Sequence, residues 1–258
     1  MPVLMPMNSD KTPVNVNGTM YRWPQKPLAG VCIDGGDPLI VMDDADVEKA
    51  AELVASGSYK NSGQRCTAVK RILVRHQVAG AFTDALLART KAWTFGDPLD
   101  PKVDMGTVIG TKAAQHFEGL VNEAVAVGAR LLCANQRSGA SYSPTLIDRV
   151  GQAMPVVALE TFGPVSPVIT FKDRDDAIRI VNGPPYGLSS GLCTNRLDDI
   201  THFVKELVVG SVNVWEVPGY RLELTPFGGI KDSGLGYKEG VQEAMKSFTN
   251  TKTYSLPW

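Results

Sequence analysis

The chain has 258 residues, 43% hydrophobic and 21% charged, and its 26 Lys and Arg against 27 Asp and Glu leave a formal net charge of −1. That length allows one large or two small domains with ample chain for a core, and the near-zero charge carries no footprint for nucleic acid or an acidic membrane surface. Apolar runs as short as Leu39–Met42, a start MPVLMPMNSDK without a basic region and apolar core, and four cysteines without paired spacing speak against a bilayer span, a secretory signal, a disulfide framework and a zinc ribbon.

Residues 1–30 hold many Pro, Asn and Thr and no periodic apolar face, so they read as loop or short strand. Leu39–Met42 predicts a strand, and Asp43-Asp44-Ala45-Asp46 places carboxylates where a following helix N-terminus favours them. That helix runs to about Lys60, and a Gly-containing turn through Cys66 follows. Arg71–Val74 predicts the next strand, and Val78, Phe82, Leu86 and Leu87 share one side of a second helix. Phe117, Leu120, Val121, Ala124 and Val125 mark a third helix, capped by Gly128. Arg130–Cys133 and Pro167–Phe171 read as strands and Asp173–Val181 as a short helix. Ile200, Phe203, Val204 and Leu207 line a further helix before the strand Gly210–Val214, and Ser247–Leu256 alternates as an added edge strand would. The alternation predicts an α/β fold, a sheet with helices on both faces, in a cytoplasmic protein.

Cys66, in Asn61-Ser62-Gly63-Gln64-Arg65-Cys66-Thr67, is the reactive candidate. A free cysteine is commonly a small buried hydrophobe, and that reading stands beside a nucleophilic one. The latter gains from a turn after a helix, where backbone N–H groups can face a reacting oxygen, and from Arg65, whose charge favours thiolate. Cys133 and Cys193 lie in apolar, strand-like runs and read as structural. His76, His116 and His202 form no constellation, so neither a metal site nor a histidine partner for Cys66 is expected. Glu160-Thr161-Phe162-Gly163-Pro164 and the Gly-rich run from Pro226 to Gly236 can be no more than tight turns closing strands, and the second does not match a phosphate loop.

Four motifs, Gly63-Gln64-Arg65-Cys66, Glu160 through Pro164, Tyr186 through Gly191 and Pro226 through Gly236, resemble the aldehyde dehydrogenase superfamily in its own order. The resemblance is to the catalytic half and covers about Asp37 to Trp258. It implies a three-layer catalytic domain over 37–240, with the coenzyme-binding domain largely absent, and an oligomerisation strand over 241–258. It implies that Cys66 attacks the aldehyde carbonyl, that its backbone N–H helps hold the oxyanion, and that hydride passes to NAD or NADP. Glu160 resembles the carboxylate that holds the nicotinamide ribose, Phe162 the ring near the nicotinamide, and Phe227 an aromatic of the substrate funnel. Arg65 is similar to a residue of relatives that take phosphate- or phosphonate-bearing aldehydes. With Arg221 it would suit a dianionic tail. The plainer alternative pairs Arg221 with Glu223 and leaves Arg65 in solvent. The C-terminal run is most similar to dehydrogenases of phosphonoacetaldehyde.

In that family the first half ends in a Glu-Leu-Gly-Gly segment bearing the general base. Here the matching place reads Val31-Cys32-Ile33-Asp34-Gly35-Gly36, and the base role does not carry over to Asp34. Residues 1–36 resemble instead the start of phosphonoacetate hydrolase of the alkaline phosphatase superfamily, with Asp34 at a zinc-ligand position and the other ligands absent. A fusion of two enzyme fragments near Gly35-Gly36 is the expectation. Three functions stay open: a dehydrogenase catalytic domain that takes a small aldehyde and needs coenzyme binding from elsewhere; a remnant that acylates without hydride transfer; and a non-catalytic association module, including a homo-oligomer.

Overall fold

The computed structural model describes residues 14–16, 19–21, 35–234, 236–237, 239–250 and 252–257. The expectations placed on Asp34, and on most of 1–36, lie outside the described residues. In chain order the elements are β1 (Val14–Val16), β2 (Thr19–Tyr21), β3 (Pro38–Val41), α1 (Val47–Tyr59), β4 (Arg71–Arg75), α2 (Ala79–Ala92), α3 (Thr111–Ala126) and β5 (Arg130–Cys133). There follow β6 (Arg137–Ser138), β7 (Ser141–Tyr142), β8 (Thr145–Asp148), α4 (Pro155–Ala158), β9 (Val165–Phe171), α5 (Arg174–Asn182) and β10 (Tyr186–Gly187). The last are β11 (Ser189–Cys193), α6 (Leu197–Glu206), β12 (Ser211–Val214), β13 (Ile230–Lys231) and α7 (Val241–Ser247).

Seven strands form one sheet in the order β12-β11-β3-β4-β9-β8-β5. Every neighbouring pair is parallel except β5 with β8. Strands covered on both faces read as near-continuous apolar runs, and β3 and β4 do so. Alternate side chains then serve opposite cores. Leu39, Val41, Ile72 and Val74 pack with Val54, Phe82 and Leu86 under α1 and α2. Ile40, Met42, Leu73 and Ile169 pack with Phe117, Val121, Ile180 and Phe203 from α3, α5 and α6. The α/β sheet with helices on both faces is therefore as the sequence indicates.

Helix starts follow the sequence signals. The Asp46 carboxylate accepts from the Lys49 N–H at 3.1 Å ahead of α1, and Asp173 accepts from the Asp176 N–H at 2.9 Å ahead of α5. Two assignments to apolar faces need correction: Val125 is 40% exposed and Val204 53% exposed. Each follows a buried neighbour, Ala124 or Phe203, and one further residue turns the helix by about 100° away from the core. The C-terminal strand is also not formed in the single chain. Val241–Ser247 is helical, and residues 248–250 and 252–257 are exposed and in no strand. Alternation is a disposition to pair, and it becomes a strand only against a free sheet edge.

Because the strands are parallel, the segments leading into them arrive at one edge of the sheet. Pro38 pairs with Arg71, Leu39 with Gly191, and Ile72 with Val168. Gly35–Asp37, Cys66–Lys70, Glu160–Pro164 and Tyr186–Leu188 thus gather at the amino ends of β3, β4, β9 and β11. At the opposite edge Arg196 grips Asp43 with two bonds, Nη1 to Oδ1 at 3.0 Å and Nη2 to Oδ2 at 2.9 Å. These bonds hold the Asp43 carboxyl below its ordinary value. A carboxyl lowered by folding adds stability above its unfolded value, about 4, and that stability disappears as pH falls through the folded value. Thermal melting of Asp43→Asn is therefore expected to fall less steeply with acid than that of the parent; an unchanged acid slope would exclude the pair as a contributor.

Candidate active site

Cys66 lies on the loop between α1 and β4. After Tyr59 the chain makes a 3₁₀ turn, Lys60–Gly63, in which Asn61 and Ser62 both take φ of 56°. Gly63 continues in the left-handed region at φ +66°, and its α-carbon faces the Gly163 carbonyl so closely that a side chain has no room. The nucleophile loop is thereby locked to the Glu160–Pro164 segment. Gly35 approaches the Cys66 carbonyl in the same way. Three segments distant in sequence therefore meet by backbone contact at the loop that carries Cys66.

Glu160 accepts from the Gly35 N–H at 3.3 Å and pairs with Lys70, Nζ to Oε1 at 3.6 Å. Lys70 also donates to the Arg65 carbonyl at 2.6 Å and stands 5.1 Å from the centre of the Phe162 ring. Phe162 has φ 50° and is 38% exposed. A bulky residue held at positive φ costs about 1–2 kcal/mol, and such strain gathers at ligand-contacting positions. Here it presents a ring to solvent beside a carboxylate.

Arg65 is half-buried. Its Nη2 donates to the Gly57 carbonyl at 2.9 Å, while its Nε is buried without a hydrogen-bond partner. Burial pulls the guanidinium below its ordinary value, and the neighbouring Cys66 opposes that pull. Arg65 thus does not project into solvent, contrary to the plainer alternative. Arg221 belongs to a second cluster: it pairs with Glu239, not Glu223, and stacks 4.9 Å from the centre of the Phe227 ring. Phe227 itself is buried and bridged to Glu239. The clusters touch through Gly219, where a Cβ would come within 2.6 Å of Thr67 Oγ1.

Two members of the site were not singled out from sequence. Lys70 is buried, and desolvation pulls its ammonium down against Glu160, Asp37 and Cys66. Asp37 is buried too. Burial pushes its carboxyl well up, against Lys70 and the Ser189 N–H, which donates to Oδ1 at 3.1 Å. The available signal was the run Val69-Lys70-Arg71-Ile72-Leu73-Val74: charged side chains at the head of a buried strand must have partners. Cys193 is as expected, a buried thiol pushed up to about 12, and burial also pushes Cys133 up. Among the described residues no group of three or more His, Cys, Asp or Glu could hold a metal ion, and no helix is long and apolar enough to cross a membrane.

The loop cysteine thus lies in one cluster with a half-buried guanidinium, a buried ammonium and the carboxylate it pairs with, and an exposed ring. The chain belongs to the aldehyde dehydrogenase family, whose profile matches residues 29–254; the match starts within the segment 1–36 set apart above. A sulfoacetaldehyde dehydrogenase of Neptuniibacter caesariensis is 37% identical over 86% of this chain and 48% of the relative. A 3-sulfolactaldehyde dehydrogenase of Priestia aryabhattai is 38% identical over 84% and 45%. The crystal structure of an NADP-dependent glyceraldehyde-3-phosphate dehydrogenase from Bacillus halodurans, complexed with NADP, superposes with a TM-score of 0.79 at 39% identity, over 83% of this chain and 44% of that one. The chain spans about half the length of the relatives it matches.

Proposed function

We propose that this chain is the catalytic half of an NAD- or NADP-dependent aldehyde dehydrogenase for a small aldehyde carrying a strong anion. The Cys66 thiolate adds to the aldehyde carbon, and the carbonyl electron pair moves to oxygen, where the Cys66 N–H receives it. When bound, NAD or NADP would supply the hydride acceptor that oxidises the adduct on Cys66 to a thioester. Glu160 and Phe162 would hold the ribose and the nicotinamide face.

The observation that carries the substrate class is Arg65, a guanidinium beside the nucleophile whose buried Nε has no partner. An anionic tail would supply one, in a setting where charge-assisted hydrogen bonds are strong. Arg221, on the Phe227 side, would add a second charge by releasing Glu239. Relatives named for sulfoacetaldehyde, 3-sulfolactaldehyde and glyceraldehyde-3-phosphate fit the same class. The finer reading, a phosphonate such as phosphonoacetaldehyde, rests on the resemblance of the C-terminal run and of residues 1–36.

Thioester hydrolysis needs a base that reaches water. Asp37 is fully buried and its carboxyl is pushed up, so it does not serve. The chain by itself is expected to add aldehyde at Cys66 without steady NADH formation. The test is protection of Cys66 from iodoacetamide. Phosphonoacetaldehyde should protect at roughly tenfold lower concentration than propanal, a factor of about 1.4 kcal/mol, and Arg65→Ala should erase the difference. Equal protection by both aldehydes would remove the anion site, and steady Cys66-dependent NADH formation would show that no further half is required.

A further inference from the structure

Lys70 lies five residues from Arg65, on the far side of the nucleophile, and it reaches back across the loop. Its Nζ is 2.6 Å from the Arg65 carbonyl oxygen, its side chain is 3% exposed, and its own N–H donates to the Asp37 carbonyl at 3.0 Å, anchoring its backbone at the head of β4. The Arg65 carbonyl and the Cys66 N–H are the two poles of one planar trans peptide, and they point in opposite directions. Whatever holds the oxygen therefore aims the hydrogen, and Lys70 shares that oxygen with the uncharged Ala68 N–H, which donates to it at 3.1 Å. A charged donor on the oxygen also draws electron density through the amide and makes its N–H the stronger donor, most of all where water is excluded.

From this geometry we infer that Lys70 is a positioning residue for the oxyanion donor: it fixes and polarises the Arg65–Cys66 peptide, so that the Cys66 N–H meets the oxygen formed when the sulfur adds to a carbonyl. The same ammonium pairs with Glu160. One buried charge thus ties the donor peptide to the carboxylate proposed for coenzyme. Burying an ammonium is costly unless it is fully partnered, and the partners Lys70 takes are this carbonyl at 2.6 Å and the Glu160 carboxylate. The inference rests on the reading of Cys66 as an acyl-accepting nucleophile.

Two reactions of the same sulfur separate aim from reactivity. With p-nitrophenyl acetate the thiolate forms a C–S bond, the carbonyl passes through an oxyanion, and p-nitrophenolate leaves. With iodoacetamide a C–S bond forms and iodide leaves, with no oxyanion. Both rates are read on the high-pH plateau, where the thiol is ionised in every variant. Lys70→Met is expected to slow acylation by roughly tenfold to a hundredfold, less than the roughly hundredfold to thousandfold for a lost oxyanion donor itself because the N–H stays in place, while alkylation changes by less than about threefold. Lys70→Gln keeps a donor without the charge and should recover part of the rate; it carries the test by the same ratio should the Met variant fail to fold by circular dichroism. A parallel fall in both rates, or no fall in either, overturns the positioning role. Alkylation of Cys66 without any acylation in the parent chain overturns the nucleophile reading, and this inference with it.

Discussion

Cys66→Ser is expected to lower the burst of p-nitrophenolate from p-nitrophenyl acetate by about a thousandfold or more, as loss of a covalent nucleophile does. The magnitude follows from the loop. Backbone contacts of Gly35 and Gly63 hold the loop that carries position 66, and the Cys66 thiol interacts there with Arg65, Lys70 and Asp37. Serine fits that place, but its hydroxyl stays protonated at neutral pH and no histidine is there to take the proton. The other described cysteines cannot compensate, because burial pushes Cys193 up to about 12 and Cys133 up as well. The measurement is burst amplitude per chain, with mass spectrometry locating the acyl group. A burst that persists in the variant, or an acyl group found on another cysteine, would end the assignment.

The second large effect is structural. Phe117→Ala is expected to lower unfolding free energy by about 3–5 kcal/mol, a large share of the 5–15 kcal/mol typical of a folded domain. Phe117 is 3% exposed in the core beneath α3, and its ring meets Tyr142 edge-on at 5.8 Å between centroids. The same ring fills the space where Gly163 would carry a side chain. The cavity would thus open directly under the Glu160–Pro164 segment. Urea unfolding reads the stability, and amide exchange of Thr161, Phe162 and Gly163 should speed up together with it. A loss below about 1 kcal/mol would mean that the core closes over the gap and that Phe117 does not support the segment.

Much of this architecture is written locally. Asp46 and Asp173 announce their helices, and the buried runs of β3, β4 and β9 carry the continuous apolar character of strands covered on both faces. The face assignments of Val125 and Val204 failed because a valine adjacent to a core position looks the same in sequence as one that belongs to it. Cys66, Arg65, Glu160 and Phe162 were each visible on their own motifs, and the sheet brings them together. Arg221 with Glu239 was not visible, since the pairing crosses 18 residues of glycine-rich loop whose path no periodicity encodes. Lys70 and Asp37 were hidden for a different reason. Their importance lies in being buried and partnered across the site, and burial of a charge is a tertiary fact.

The approach of Gly35 to the Cys66 carbonyl makes position 35 a mouth rather than a joint. A side chain there would have to push that carbonyl aside, whereas the segments leading into β4, β9 and β11 come in at the amino ends of their strands. The tightest steric demand beside Cys66 therefore falls on a residue that has no side chain to give way.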